Sequence, residues 1–145
     1  MTEWQGIARC DPQWQCYLSQ FGRPLSDRAI APMCAGMTVY FHEEDLPADA
    51  LGPGPIAVDT ETMGLQTPRD RLCVVQLSDG GEDEHLVRFS PGSDYAAPNL
   101  KAVLGDPERL KLYHFARFDL AAIEHYLHVT AAPVYCTKIV SRLVR

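Results

Sequence analysis

The stretch IAVDTET at residues 56–62 restricts the possible folds more than any other part of the chain. Its β-branched residues favour extended backbone, and the preceding LGPGP is a turn-rich lead-in. Side chains alternate along a strand, so Ile56, Val58 and Thr60 share one face while Ala57, Asp59 and Glu61 share the other. The two carboxylates then project together, roughly 6–7 Å apart. An otherwise apolar strand belongs at the centre of a sheet, where like charges repel and burial adds a desolvation cost. Either the pair sits at the exposed strand end and begins the turn through Gly64, or it is a functional pair.

Further elements follow in an order that sets the fold class. Residues 71–78 and 84–89 read as strands joined by DGGED, a short Gly-rich link that favours a hairpin. The segment TVYFHEEDL, from residue 38, is a strand and turn, and residues 100–104 form a short helix with Asn99 as its cap. Residues 110–113 make a brief apolar strand, 116–127 a helix, 133–135 another strand and 137–144 the start of a last helix. Hairpin strands first and strand–helix alternation afterwards imply an α/β fold with a mixed sheet flanked by helices.

The helix at 116–127 adds a third carboxylate. Phe115, Ala122, Ile123 and Tyr126 recur at helical spacing, and Asp119 falls on the same stripe. A carboxylate facing the core needs a partner. One reading is a structural ion pair with Arg117 or His114; the other is convergence of Asp59, Glu61 and Asp119 on one point. Hard carboxylate oxygens favour magnesium or manganese, and a divalent ion removes the repulsion within such a cluster.

These segments carry a resemblance. VDTETMGLQTPRDRLCVVQLSDG (58–80) resembles the first motif of the 3′–5′ exonuclease superfamily whose active sites hold four acidic residues, and is most similar to the ribonuclease D branch. LYHFARFDLAAIEHYL (112–127) resembles the second motif, with Asp119 at the metal-ligand position, and YCTKIVSRLVR (135–145) resembles the segment that follows. The resemblance spans about residues 38–145 and implies a ribonuclease H-like mixed sheet, three antiparallel strands then parallel ones, incomplete at its C-terminal end. It also implies hydrolytic removal of nucleotides, one at a time, from RNA 3′ ends. Two ions, Mg2+ or Mn2+, would be held by Asp59, Glu61 and Asp119.

Substrate contacts follow by the same resemblance. Gly64 would allow close backbone approach and Leu65 would pack on the terminal base or sugar, with Thr62 at the turn beside them. His114, Phe115 and Phe118 flank Asp119; either phenylalanine could stack on a base, although core packing suits Phe118 better. Gln76 shares a face with Leu72 and Val74, where it could touch substrate or satisfy a nearby backbone group. A third motif, with a tyrosine or histidine four positions before a fourth acid, has no counterpart: after Asp119 the only acid is Glu124. The expectation is therefore a truncated product or fragment, inactive or weakly active. The alternative is a non-catalytic module that holds nucleic-acid 3′ ends or a partner.

Composition narrows the rest. The length of 145 residues suits one domain, read as 37–145 with residues 1–36 as an N-terminal extension. That extension carries three of the five cysteines, and Cys10, Cys16, Cys34 and His42 space poorly for zinc. Cys73, inside LCVVQL, reads as a small core residue. A net charge of −6 shows no basic patch for nucleic acid, a gap that a metal-holding acidic cluster would fill. No run is apolar and long enough for a membrane span, and no export signal is visible, so a cytoplasmic location with reduced thiols is expected. An incomplete sheet would leave apolar surface open, which would suit a homodimer.

Overall fold

The computed structural model describes residues 38–145. The proposed extension at 1–36, with Cys10, Cys16 and Cys34, lies outside the described residues. Six strands, β1 (Thr38–Glu43), β2 (Ile56–Thr62), β3 (Leu72–Ser78), β4 (Asp83–Arg88), β5 (Lys111–Tyr113) and β6 (Val134–Cys136), form one sheet in the order β1-β4-β3-β2-β5-β6. β3 runs antiparallel to both its neighbours, β2 and β4, whereas β5 joins β2 and β6 joins β5 in parallel. This is the mixed sheet the sequence implies. β1 adds a parallel edge strand against β4.

Three helices accompany the sheet: α1 (Pro98–Gly105), α2 (Arg117–Ala122) and α3 (Thr137–Leu143). The core lies on one face, where Ile56, Val58, Val75, Leu77 and Val87 meet Leu100 and Leu104 of α1 and Ile123 beyond α2. Burial along β2 alternates strictly: Ile56, Val58 and Thr60 are buried, and Ala57, Asp59 and Glu61 are exposed. The carboxylate pair thus belongs to a central strand with an open face.

Three local expectations are corrected. Asn99 does not cap α1: the N-cap is Ala97, in left-handed backbone at φ 31°. The Asp45 carboxylate reaches over from the end of β1 and accepts from the Asn99 and Leu100 amides at 3.1 and 2.9 Å. A cap supplied by another element leaves no signature beside the helix. The helix expected at 116–127 is α-helical only to Ala122 and continues as a π-helical turn, Ile123–Leu127. Phe115 lies outside it, 48% exposed with φ 66°, so it does not belong to the buried stripe that carries Asp119.

The third correction concerns β3. Glu61 pairs with Val74 but Thr62 pairs with Leu72, which leaves Cys73 as an extra residue in a bulge. The bulge shifts the alternation: Leu72, Val75 and Leu77 are buried, while Val74, Gln76 and Ser78 are half-exposed. Leu72 and Gln76 therefore do not share a face, and Cys73 is half-buried rather than a core residue.

At the β1–β4 edge, His85 is buried with its Nδ1 3.0 Å from Nε2 of His42. Burial holds the His85 imidazole below its ordinary value, against the opposing pull of Asp83, Asp79 and Glu84. The unfolded chain takes up this proton first, at about pH 6.5. Stability is therefore expected to be level above that pH and to fall as pH drops below it, by at most about 1.4 kcal/mol per pH unit from this group. Urea titrations between pH 5 and 8 check this, and His85→Phe should flatten the dependence.

Candidate active site and metal centre

The site forms where β2 and β5 part. Their pairing stops at Ala57 opposite Leu112, so the edge of β2 beyond Ala57 is open to other partners. Asp119, the third residue of α2 and 4% exposed, fills that gap. Its Oδ1 accepts from the Thr60 amide at 3.1 Å and from the Thr60 hydroxyl at 2.7 Å. The helical stripe thus placed Asp119 correctly against the core. Its hydrogen-bond partner is Thr60, and among the described residues no ion pair joins it to the Arg117 or His114 that the structural reading offered. Thr60 is the site residue that sequence reasoning missed; its signal was a polar residue on the core-facing side of a central strand.

The three carboxylates form one electrostatic unit. Although its side chain opens to solvent on that face, desolvation by the surrounding protein pushes Glu61 up, and the charges of Asp59 and Asp119 add to this. Asp119 is also raised, first by burial and then by Asp59, against the lowering effect of the Thr60 hydrogen bonds. Asp59 is raised by burial, opposed by the Thr60 backbone and the His114 charge. Such a set of hard, mutually destabilising oxygens has the chemistry that a hard divalent cation relieves. Among the described residues no group of three His, Cys, Asp or Glu side chains is gathered closely enough to share an ion; Asp119 is turned onto Thr60 instead.

The turn after β2 is locked locally. The Thr62 hydroxyl donates to the Gly64 carbonyl at 2.5 Å. A Cβ at Gly64 would run into the Asp70 carboxylate, which is engaged by the Gln66 amide and the Arg69 guanidinium. The close approach that calls for glycine here is therefore made by Asp70. The turn leaves Leu65 84% exposed at its tip.

An open trough of about 500 Å3 runs from Asp59 across the exposed sheet face. Gln76 and Glu84 line one part of it, and Leu112, His114 and Thr137 another. Gln76 donates to Glu84 at 3.3 Å, so its partner is a side chain rather than a backbone group. The Thr137 hydroxyl lies 3.2 Å from the Tyr113 carbonyl, to which it donates, and 2.9 Å from His114 Nδ1. In that arrangement the Thr137 hydroxyl accepts from the Nδ1 proton of His114. Phe118 is half-buried. The structure thus couples Asp59, Glu61 and Asp119 electrostatically without gathering them into one ligand group, places His114 in the trough with Asp59, and sets Thr62, Gly64 and Leu65 on the adjoining turn.

The family model for 3′-5′ exonucleases matches residues 34–145. The chain belongs to this exonuclease family. A Ribonuclease D of Gluconacetobacter diazotrophicus is 35% identical to this exonuclease-family chain over 86 residues, which is 58% of the chain and 21% of that protein. Brucella melitensis NrnC bound to pGG is 45% identical, with a TM-score of 0.70 over 74% of the chain and 52% of NrnC. NrnC of the same organism with bound Mg2+ is 44% identical at a TM-score of 0.70, covering 74% and 53%. The exonuclease-family chain therefore spans about half the length of these solved relatives and about a fifth of that Ribonuclease D. No described helix is long and apolar enough to cross a membrane.

Proposed function

We propose that the protein is a metal-dependent 3′–5′ exonuclease that hydrolyses nucleotides from the 3′ ends of single-stranded RNA. The observation that carries this is the electrostatic coupling of three carboxyl groups where β2 and β5 part: the charges of Asp59 and Asp119 raise Glu61, and that of Asp59 raises Asp119. Asp59, Glu61 and Asp119 would hold magnesium or manganese, two ions in this reading. The ions would supply a hydroxide-like nucleophile at neutral pH and charge neutralisation on the phosphate.

The chain's own residues do the rest. Thr60 fixes Asp119 through two hydrogen bonds, so the carboxylate is oriented before substrate arrives. His114 lines the trough together with Asp59, and Leu65 offers an apolar tip to the terminal nucleoside. A second reading, a non-catalytic module that holds 3′ ends, is favoured by the absence of a gathered three-ligand group among the described residues.

An assay on 5′-labelled single-stranded RNA and DNA with magnesium, manganese or chelator separates the two. A metal-dependent ladder shortened from the 3′ end is expected, with RNA cut in preference to DNA. Asp59→Asn should slow it by at least about 100-fold, since several kcal/mol of charge stabilisation depend on the ligand. Metal-dependent RNA binding without any ladder would establish the second reading.

A further inference from the structure

The rim of the trough carries a pair that the metal chemistry does not use. Lys138, in the first turn of α3, places Nζ 3.4 Å from the centroid of the Phe115 ring. The ring is 48% exposed, presented outward by left-handed backbone at φ 66°. The preceding residue on each side, His114 and Thr137, is hydrogen-bonded to its counterpart at 2.9 Å, and both line the trough that reaches Asp59. An aromatic face and a cation are thereby held at the same rim, one residue beyond that trough lining.

Five other basic side chains of the described residues are committed elsewhere. Arg69 and Arg88 pair with Asp70 and Glu43, and Arg71 and Arg109 donate to the carbonyls of Phe89 and Gly52. Lys111 is buried between two carbonyls. Lys138 rests on a ring, a contact that an incoming anion can replace. The trough it borders is acidic, with Asp59 and Glu84 in its lining, so a phosphate there needs a cation.

We propose that Lys138 and Phe115 act as a nucleotide-binding couple: when a single strand binds, the Lys138 ammonium leaves the ring for a backbone phosphate, and a base stacks on the face it vacates. This deepens the exonuclease reading and rests on it. Lys138 is a specificity and positioning residue for the nucleic acid, outside the group that would hold the metal.

The test is equilibrium binding of the full chain to a 5′-fluorescein single-stranded oligouridylate with phosphorothioate linkages, in magnesium, over a range of salt concentrations. Lys138→Gln should weaken binding and lessen the slope of log K against log salt by about 0.7, the share of one phosphate contact on a single strand. Lys138→Arg should keep the slope, and Phe115→Ala should weaken binding about 5- to 100-fold with the slope kept. A merely structural Lys138 would change the melting temperature and not the slope. Unchanged slope and affinity in Lys138→Gln, with a wild type that binds, overturns this couple and leaves the exonuclease reading standing. A wild type that binds no RNA at any salt concentration overturns both.

Discussion

Asp119→Asn is expected to stabilise the metal-free chain, since a carboxylate whose charge is disfavoured gives way to a neutral amide, and in the same protein to remove metal-dependent nucleotide release. Asp119 is 4% exposed, and both burial and the neighbouring Asp59 disfavour its charge. Asparagine keeps the oxygen that accepts from the Thr60 amide and hydroxyl, and it exchanges the second oxygen for a donor beside two carboxylates. Asp119→Ala should behave in the opposite way. It leaves the Thr60 amide and hydroxyl without their acceptor, at about 1–3 kcal/mol for each buried orphan. Thermal melts in chelator should therefore rank Asn above wild type and wild type above Ala. Adding magnesium should raise only the wild-type midpoint. If Asn and Ala fell by the same amount, the charge itself would be stabilising and the site would not be a strained anionic cluster.

The second large effect is expected at Lys111. This side chain is fully buried in β5, and its Nζ donates to the Ala132 carbonyl at 2.8 Å and to the Asp106 carbonyl. It joins the loop before β5 to the loop before β6. Burial lowers the affinity of its amine for the proton, so the two carbonyls are what keep it in place. Lys111→Ala removes the stem and leaves both acceptors empty, an expected loss of about 3–5 kcal/mol. That corresponds to a fall in Tm of about 10 °C or more for a domain of this size. Lys111→Met restores the stem and should recover about half of the loss. Differential scanning calorimetry of the three proteins measures this directly; an alanine variant melting within a degree or two of wild type would show that the loops hold without the lysine.

Much of the fold was legible because it depends on alternation along single segments. The period-two pattern at 56–62 placed Asp59 and Glu61 together, and the observed β2 has those same bounds. Asp119 was legible from its place on a helical stripe. What could not be read depends on contacts between distant segments. The cap of α1 comes from Asp45, more than fifty residues away in sequence, and the Thr60–Asp119 hydrogen bonds span 59 residues. Phe115 misled because its spacing fits a helix while its backbone is left-handed, a corner that spacing does not register. The extra residue at Cys73 was equally silent, since LCVVQL is apolar in either frame.

That extra residue has a consequence for how such a site can diversify. In a sheet, one inserted residue is a frameshift: everything on one side of Cys73 is read on the opposite face from what strict alternation would give. The frame after it carries Val75 and Leu77 into the core, while before it Leu72 alone reaches the core and leads back to the turn that holds Gly64, Leu65 and Asp70. The bulge acts as a joint between two grammars, one tied to packing and the other to the turn. A change in that loop leaves the register of Val75 and Leu77 as it is, so the hydrophobic text behind it stays in frame.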